Sequence, residues 1–381
     1  MINRWKFFIG ERVLCMRKKW LILLFCVFLS GCQTSASDSF TIGLIAPLTG
    51  DQAAFGNHCL CAVQLAMEEL NAKGGIGEKP IRLCVMDDRG DVLEGTTCFY
   101  RLAAENVDAV IGGVTSSVAV GLTRAANETK TPLLSPSATA DVVDTQDDYV
   151  FRACFTDSYQ GAAAARFLKK QGYRRVAVLY AAGDAYACGL KDAFCREATR
   201  LGIEISGVSA ASSTAEVDFI PQLKHLLAKN PQVLYAPLYY ASMGLYVLPQ
   251  AKSLGYTGLI FGGDAYDGID RYVSSSALLD SVIFSNHYSK EDESLQIQSF
   301  VRAYTERFGK EKLGSFAALS YDCVYMLKTA AETDTSLKEG LKKLYFSGVT
   351  GDFSLGKTGT PEKDLVLIGF DHGEEILVGK E

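Results

Sequence analysis

Histidine is scarce in this chain, with four among 381 residues (His58, His225, His287 and His372), and none stands in a motif of acid–base chemistry. No dinucleotide fingerprint follows the first strand-like run, because Gly43 leads into Leu-Ile-Ala-Pro, and no Gly-x-Ser-x-Gly elbow occurs. These absences argue against an enzyme, and nothing points to a cofactor. The nearest approach to a metal motif is His58-Cys59-Leu60-Cys61, which lacks a second ligand cluster, so no metal is expected. A basic excess is lacking too. Lysine and arginine number 38 against 44 acids, and the formal charge is -6. Phosphate backbones are repelled by such a balance, so nucleic acid is not an expected partner.

The N-terminus carries the one early apolar run, Trp20 to Leu29, behind the basic cluster Arg17-Lys18-Lys19. It is about ten residues long, and a bilayer needs roughly 20. Charged start, short apolar core and Leu29-Ser30-Gly31-Cys32 together resemble a bacterial lipoprotein signal peptide. That resemblance implies a signal over 1–31, lipidation at Cys32, a tether over 32–39, and work outside the cytoplasm on a membrane anchor. Met16 opens the signal in the usual way, so translation is expected to start there instead of at Met1. Removing residues 1–31 takes six basic residues and one acid from the 38 and 44, which leaves -11. Eight cysteines remain beyond Cys32. Their scattered spacing is unlike a small disulfide scaffold, and whether any pair is open at this level.

About 350 residues exceed one compact core and suggest two lobes. Strand and helix patterns alternate from residue 40. Phe40 to Ala46 reads as a buried strand, and Leu60, Val63, Met67 and Leu70 form one apolar stripe on a helix stopped by Gly74-Gly75. Asp157 with Gln160 three residues later has capping-box spacing and opens a second series. Two such series in succession predict two doubly wound parallel sheets. The last hundred residues break the rhythm and are expected to complete both lobes: 40–154 with 287–350, and 155–286 with 351–381.

In open parallel sheets, ligands sit at the carboxyl ends of strands. Gly112 to Ser117 follows a strand and opens a helix, whose N-H groups and serine hydroxyl suit a carboxylate. Ser135 to Thr139 offers a hydroxyl and free carbonyls, Asp264 supplies an acid, and Phe55, Tyr186, Tyr239 and Phe316 could wall a pocket. Read singly, Ser116 and Ser117 are equally helix caps, Thr139 a turn residue, Asp264 a solvated acid, and the aromatics core.

Read in order, Thr41-Ile-Gly-Leu-Ile-Ala-Pro-Leu-Thr-Gly50, Phe55-Gly56, Asn71 to Ile76, Asp87-Asp88, Gly112 to Ser117, Ser135 to Thr139, Asp157 to Gly161, Asp184 to Leu190 and Tyr239 to Gly244 are similar to the branched-chain amino-acid binding proteins. These are type I periplasmic binding proteins that feed ABC importers, and the likeness spans nearly all of residues 40–370. It implies a monomer of two hinged lobes that passes an amino acid to an ABC permease. It puts the ligand carboxylate on Ser117 and the backbone of Ser137. The ammonium falls on Thr139 and Asp264, the last standing where those binders usually have glutamate, and Ala138 is a further ligand-binding residue. Phe55, Tyr186, Tyr239 and Phe316 match lining aromatics. The cysteine pair that some relatives bridge falls on Gly90 and Thr115, so that disulfide is missing. A receptor that senses an amide, peptide or other small solute is the alternative.

Overall fold

The computed structural model of the chain describes residues 39–143, 149–310, 313–355 and 358–381. The signal, Cys32 and the tether up to residue 38 lie outside the described residues.

Strand β1 (Phe40–Ala46) is buried at every position, as a strand covered on both faces must be. Helix α1 (Ala53–Asn71) buries Phe55, Cys59, Val63, Met67 and Leu70, and the chain reverses through Gly74 and Gly75 at positive φ. Then come β2 (Ile81–Asp87), α2 (Val92–Ala104), β3 (Ala109–Gly112), α3 (Ser116–Thr129), β4 (Leu133–Ser135) and β5 (Val150–Arg152). All five strands are parallel, in the order β2-β1-β3-β4-β5.

The theme repeats with α4 (Asp157–Lys170), β6 (Arg175–Ala181), α5 (Ala185–Arg200), β7 (Glu204–Ala211), α6 (Ile220–Leu227), β8 (Val233–Tyr235), β9 (Leu259–Gly262) and β10 (Val282–Asn286). These strands stand in the order β7-β6-β8-β9-β10, the same winding as the first sheet. Helices α7 (Leu295–Phe308), α8 (Ser315–Ala331) and α9 (Leu337–Lys342) follow, then the hairpin β11 (Tyr345–Gly348) and β12 (Gly351–Ser354). Helix α8 packs along α1 and so completes the first layer. Strands β13 (Val366–Asp371) and β14 (Glu374–Lys380) add antiparallel to β10 and complete the second sheet. The fold is thus α/β, two doubly wound lobes joined where the chain crosses after β5, after β10 and between β12 and β13.

Periodicity missed β5, β11 and β14. The first is three residues long, and β14 is an edge strand with Ile376, Leu377 and Val378 exposed, so no apolar alternation marks it. The helix expected over 242–254 is broken by a π turn at Met243–Val247. The N-cap of α4 is Thr156, not Asp157: the Thr156 hydroxyl accepts from the Tyr159 N-H at 3.2 Å. Asp157 lies one residue inside the helix, where its carboxyl is turned inward and fully buried. All eight described cysteines are free thiols.

Candidate functional site

The turn after β3 needs Gly113 at φ 66°, because a Cβ there would lie 2.7 Å from the Ala119 Cα and Cβ. This tight reversal brings the N-terminus of α3, with Ser117, to the carboxyl edge of the first sheet. Across from it, the turn after β6 presents Asp184 as the N-cap of α5, its Oδ1 accepting from the Ala187 N-H at 2.8 Å. Ser117 Oγ donates to Asp184 Oδ2 at 3.2 Å and accepts from the Ala185 N-H at 3.2 Å. Tyr239, just after β8, donates its hydroxyl to the same Asp184 oxygen at 3.3 Å. Residues of both sheets therefore meet here, and burial raises the Asp184 pKa, partly offset by these hydrogen bonds.

The next loop of the first sheet is less free than its sequence suggests. The Ser137 hydroxyl donates to Val114 O at 2.7 Å. The Ala138 carbonyl, expected to be free, accepts from Arg152 Nη1 at 3.0 Å and from Cys154 Sγ at 3.3 Å. Arg152 is fully buried on β5, and a buried guanidinium must find acceptors. Ser116, read as a candidate alongside Ser117, accepts from the Ala140 N-H. Thr139 is different. It is fully buried, and its Oγ1 has no hydrogen-bond partner.

Beside Thr139 stands Asp157, fully buried with neither carboxyl oxygen hydrogen-bonded. Its backbone N-H donates to Thr139 O at 2.7 Å. The carboxyl packs on bare backbone of α5, since a Cβ on Gly189 would sit 2.5 Å from Asp157 Oδ2. Burial drives its pKa well above the ordinary carboxyl range; the nearby Thr139 hydroxyl opposes this, and Asp264 and Asp141 add to it. The sequence reading took Asp157 for a cap. Its signal was present only as part of the ordered run Asp157 to Gly161.

Asp264, in the turn after β9, is 2% exposed and so is not a solvated loop acid. Its Oδ1 accepts from Gln160 Nε2 at 3.1 Å, and its Oδ2 lies 3.1 Å from His287 Nε2. Gln160 Oε1 in turn accepts from the Asp264 N-H and from Ser285 Oγ. His287 follows β10, at one of the crossings between sheets, and stacks on Phe155 at 3.9 Å. Burial lowers its pKa, and the Asp264 hydrogen bond opposes this; facing a carboxylate oxygen, its Nε2 is the donor.

The four predicted aromatics form one wall. Phe55 stacks on Phe316 at 4.0 Å and meets Tyr239 at 6.0 Å; Tyr186 stacks on Tyr239 at 5.5 Å. Tyr240, which sequence reasoning missed, closes edge-on against Phe55 at 4.5 Å. Of three cavities of about 620, 430 and 710 Å³, none is lined by these predicted residues, which pack against one another across the cleft; Phe155 borders the first and His287 the second.

Gly351 to Thr358 also carries the Gly-x4-Gly-Lys-Thr spacing of a phosphate-binding loop. That chemistry needs a helix opening after the loop, and here β12 pairs with β11 while no helix begins among the described residues before β13. The spacing is coincidental.

The cleft therefore combines a hydroxyl and N-H pole at Ser117, an unpaired acceptor pole at Thr139 and Asp157 beside Asp264, and an aromatic wall. A small ligand with an ammonium group suits the acceptor pole.

Comparison with known proteins agrees with this architecture. The family described as Periplasmic binding protein matches residues 39–374. The chain is 32% identical over 253 residues to the Leu/Ile/Val-binding protein BraC3 of Rhizobium johnstonii, covering 66% of this chain and 68% of that one. To Leu/Ile/Val-binding protein homolog 3 of Brucella melitensis it is 30% identical over 258 residues, 67% and 69% of the two chains. Among solved structures, the leucine binding protein LivK of Thermotoga maritima superposes with a TM-score of 0.82 at 29% identity, covering 89% of this chain and 98% of that one. The branched-chain amino acid transporter substrate binding protein LivJ of Streptococcus pneumoniae, in complex with isoleucine, gives 0.83 at 27%, with 90% and 99% covered.

Proposed function

The chain belongs to the periplasmic binding protein family, and from that premise we propose that it captures an amino acid between its two lobes outside the cytoplasm and delivers it to an ABC importer. One observation carries the reading of the site. A fully buried carboxyl, Asp157, and a fully buried hydroxyl, Thr139, face one another in a cleft that both sheets line, with no hydrogen-bond partner from any other group. Such groups are costly unless a partner arrives, and an ammonium would supply it. Asp264 adds negative charge, with Gln160 and His287 holding its orientation. The reading is of a binder, in keeping with a family of solute-binding proteins.

The lobes are taken as 40–154 with 287–350 and 155–286 with 351–381. Since the ligand touches both, binding favours the closed form through contacts that only closure makes. The protein acts as a monomer and presents its closed face to the permease. Lipidation at Cys32 holds it to the membrane, and replacing Cys32 with serine is expected to release the protein from the membrane fraction into the soluble one. Retention of the variant on membranes would rule the anchor out.

A thermal-shift panel of amino acids tests the binding claim: a rise of several degrees for aliphatic or aromatic members is expected, as a bound ligand stabilises the folded state by mass action. No shift for any of them would refute it. Phe55→Ala opens the stack on Phe316 and is expected to change the ranking among side chains more than it abolishes binding. Calorimetry over the same panel checks this.

A further inference from the structure

Taking the ammonium pole just described as given, the other pole is not built for a free carboxylate. Ser117 Oγ and Tyr239 OH, one from each sheet, both point at a single oxygen, Asp184 Oδ2, at 3.2 and 3.3 Å. An acid of the protein thus takes the two donors that a ligand carboxylate would need. Asp184 is 9% exposed, and a second carboxylate brought beside it would meet like charge with little solvent to screen it. The groups that act on Asp184 are the Ala187 N-H and the Ser117 and Tyr239 hydroxyls, with no cation among them; the buried Arg152 bears instead on Asp157, from its place against the Ala138 and Ala140 carbonyls. With Asp157 and Asp264, the cleft holds three buried acids and, in Asp157, an unpaired acceptor.

We propose that Asp184 selects a ligand whose carboxyl end is neutral, an α-amino amide such as an amino-acid amide or the first residue of a short peptide. An amide offers both roles this pole requires. Its N-H donates to Asp184 Oδ2, and its carbonyl accepts from Ser117 Oγ or Tyr239 OH. Its ammonium goes to Asp157, Thr139 and Asp264, as in the amino-acid reading.

The test is calorimetry on the whole protein with matched pairs: leucine and leucinamide, valine and valinamide, phenylalanine and phenylalaninamide. Wild type is expected to bind the amide of the preferred pair about tenfold or more tightly than the free acid, the order of effect that opposed like charges produce. Asp184→Asn retains an N-cap acceptor for the Ala187 N-H but removes the charge, and is expected to bring the pair within about threefold or to reverse it. An unchanged melting temperature shows that the variant folds. A free acid bound as tightly as its amide by wild type, with the ratio untouched in Asp184→Asn, overturns the proposal. The ammonium reading fails separately, if Asp157→Asn binds both members of the pair as well as wild type does. If no pair binds to wild type, both readings fall.

Discussion

Asp157→Asn is expected to weaken capture of the ligand strongly while making the ligand-free protein more stable. The two effects share one cause. In the wild type a fully buried carboxyl has no hydrogen-bond partner, which costs folding free energy that the ligand recovers on binding. Asparagine keeps the shape and removes the charge. Stability of the ligand-free protein is expected to rise by about 1–3 kcal/mol, and affinity to fall by roughly 2–4 kcal/mol. Urea unfolding without ligand and calorimetry with it measure the two sides. The pH dependence gives a second check. Burial raises the folded-state pKa of Asp157 well above its unfolded value, so between the two the folded protein holds a proton that the unfolded chain has lost. The stability Asp157 confers is therefore present below the unfolded pKa and lost as pH rises through the folded one. Ammonium binding needs the ionised form and should strengthen over that same rise. Both slopes should be gone in Asp157→Asn, and a variant that kept them would place the titration elsewhere.

Asp264→Ala is expected to weaken binding by roughly 2–4 kcal/mol and, unlike the Asp157 change, to lower the melting temperature. Its carboxyl holds Gln160 Nε2 and His287 Nε2, and removing it strands both donors in the interior. His287 already has an unpartnered Nδ1, so it has no other bond to fall back on. Asp264→Asn separates charge from packing: affinity should fall nearly as far, while the melting temperature recovers most of the loss. An alanine variant with full affinity would remove Asp264 from the ammonium pole. An alanine variant with weakened binding but wild-type stability would mean that Gln160 and His287 find other partners.

The local properties of the chain carried a good deal of this. Continuous apolar runs and three-to-four spacing marked most strands and helices, because burial against a sheet repeats along each element with its own period. The placement of Ser117, Thr139 and Asp264 at strand ends followed from the same reading, since the carboxyl edge of a parallel sheet is where loops gather. The order of short motifs was enough to reveal the family, as each motif reflects a turn or a helix start that the fold needs.

What the sequence could not give was which polar atoms remain available once the chain is packed. Ser137 Oγ and Ala138 O looked free but are taken by Val114 and Arg152. Asp157 looked like a cap and is instead a buried acid inside the helix, because the helix starts one residue earlier: Thr156 caps the Tyr159 N-H, and the Gln160 N-H already donates to Thr156 O. Asp184 and Ser117 lie 67 positions apart and are joined only when the two sheets close. Helix and strand character are decided by neighbours within a few residues, so the string of residues determined them. Hydrogen-bond partnership in a cleft depends on side chains from distant elements competing for the same donors, and only the tertiary structure decided that.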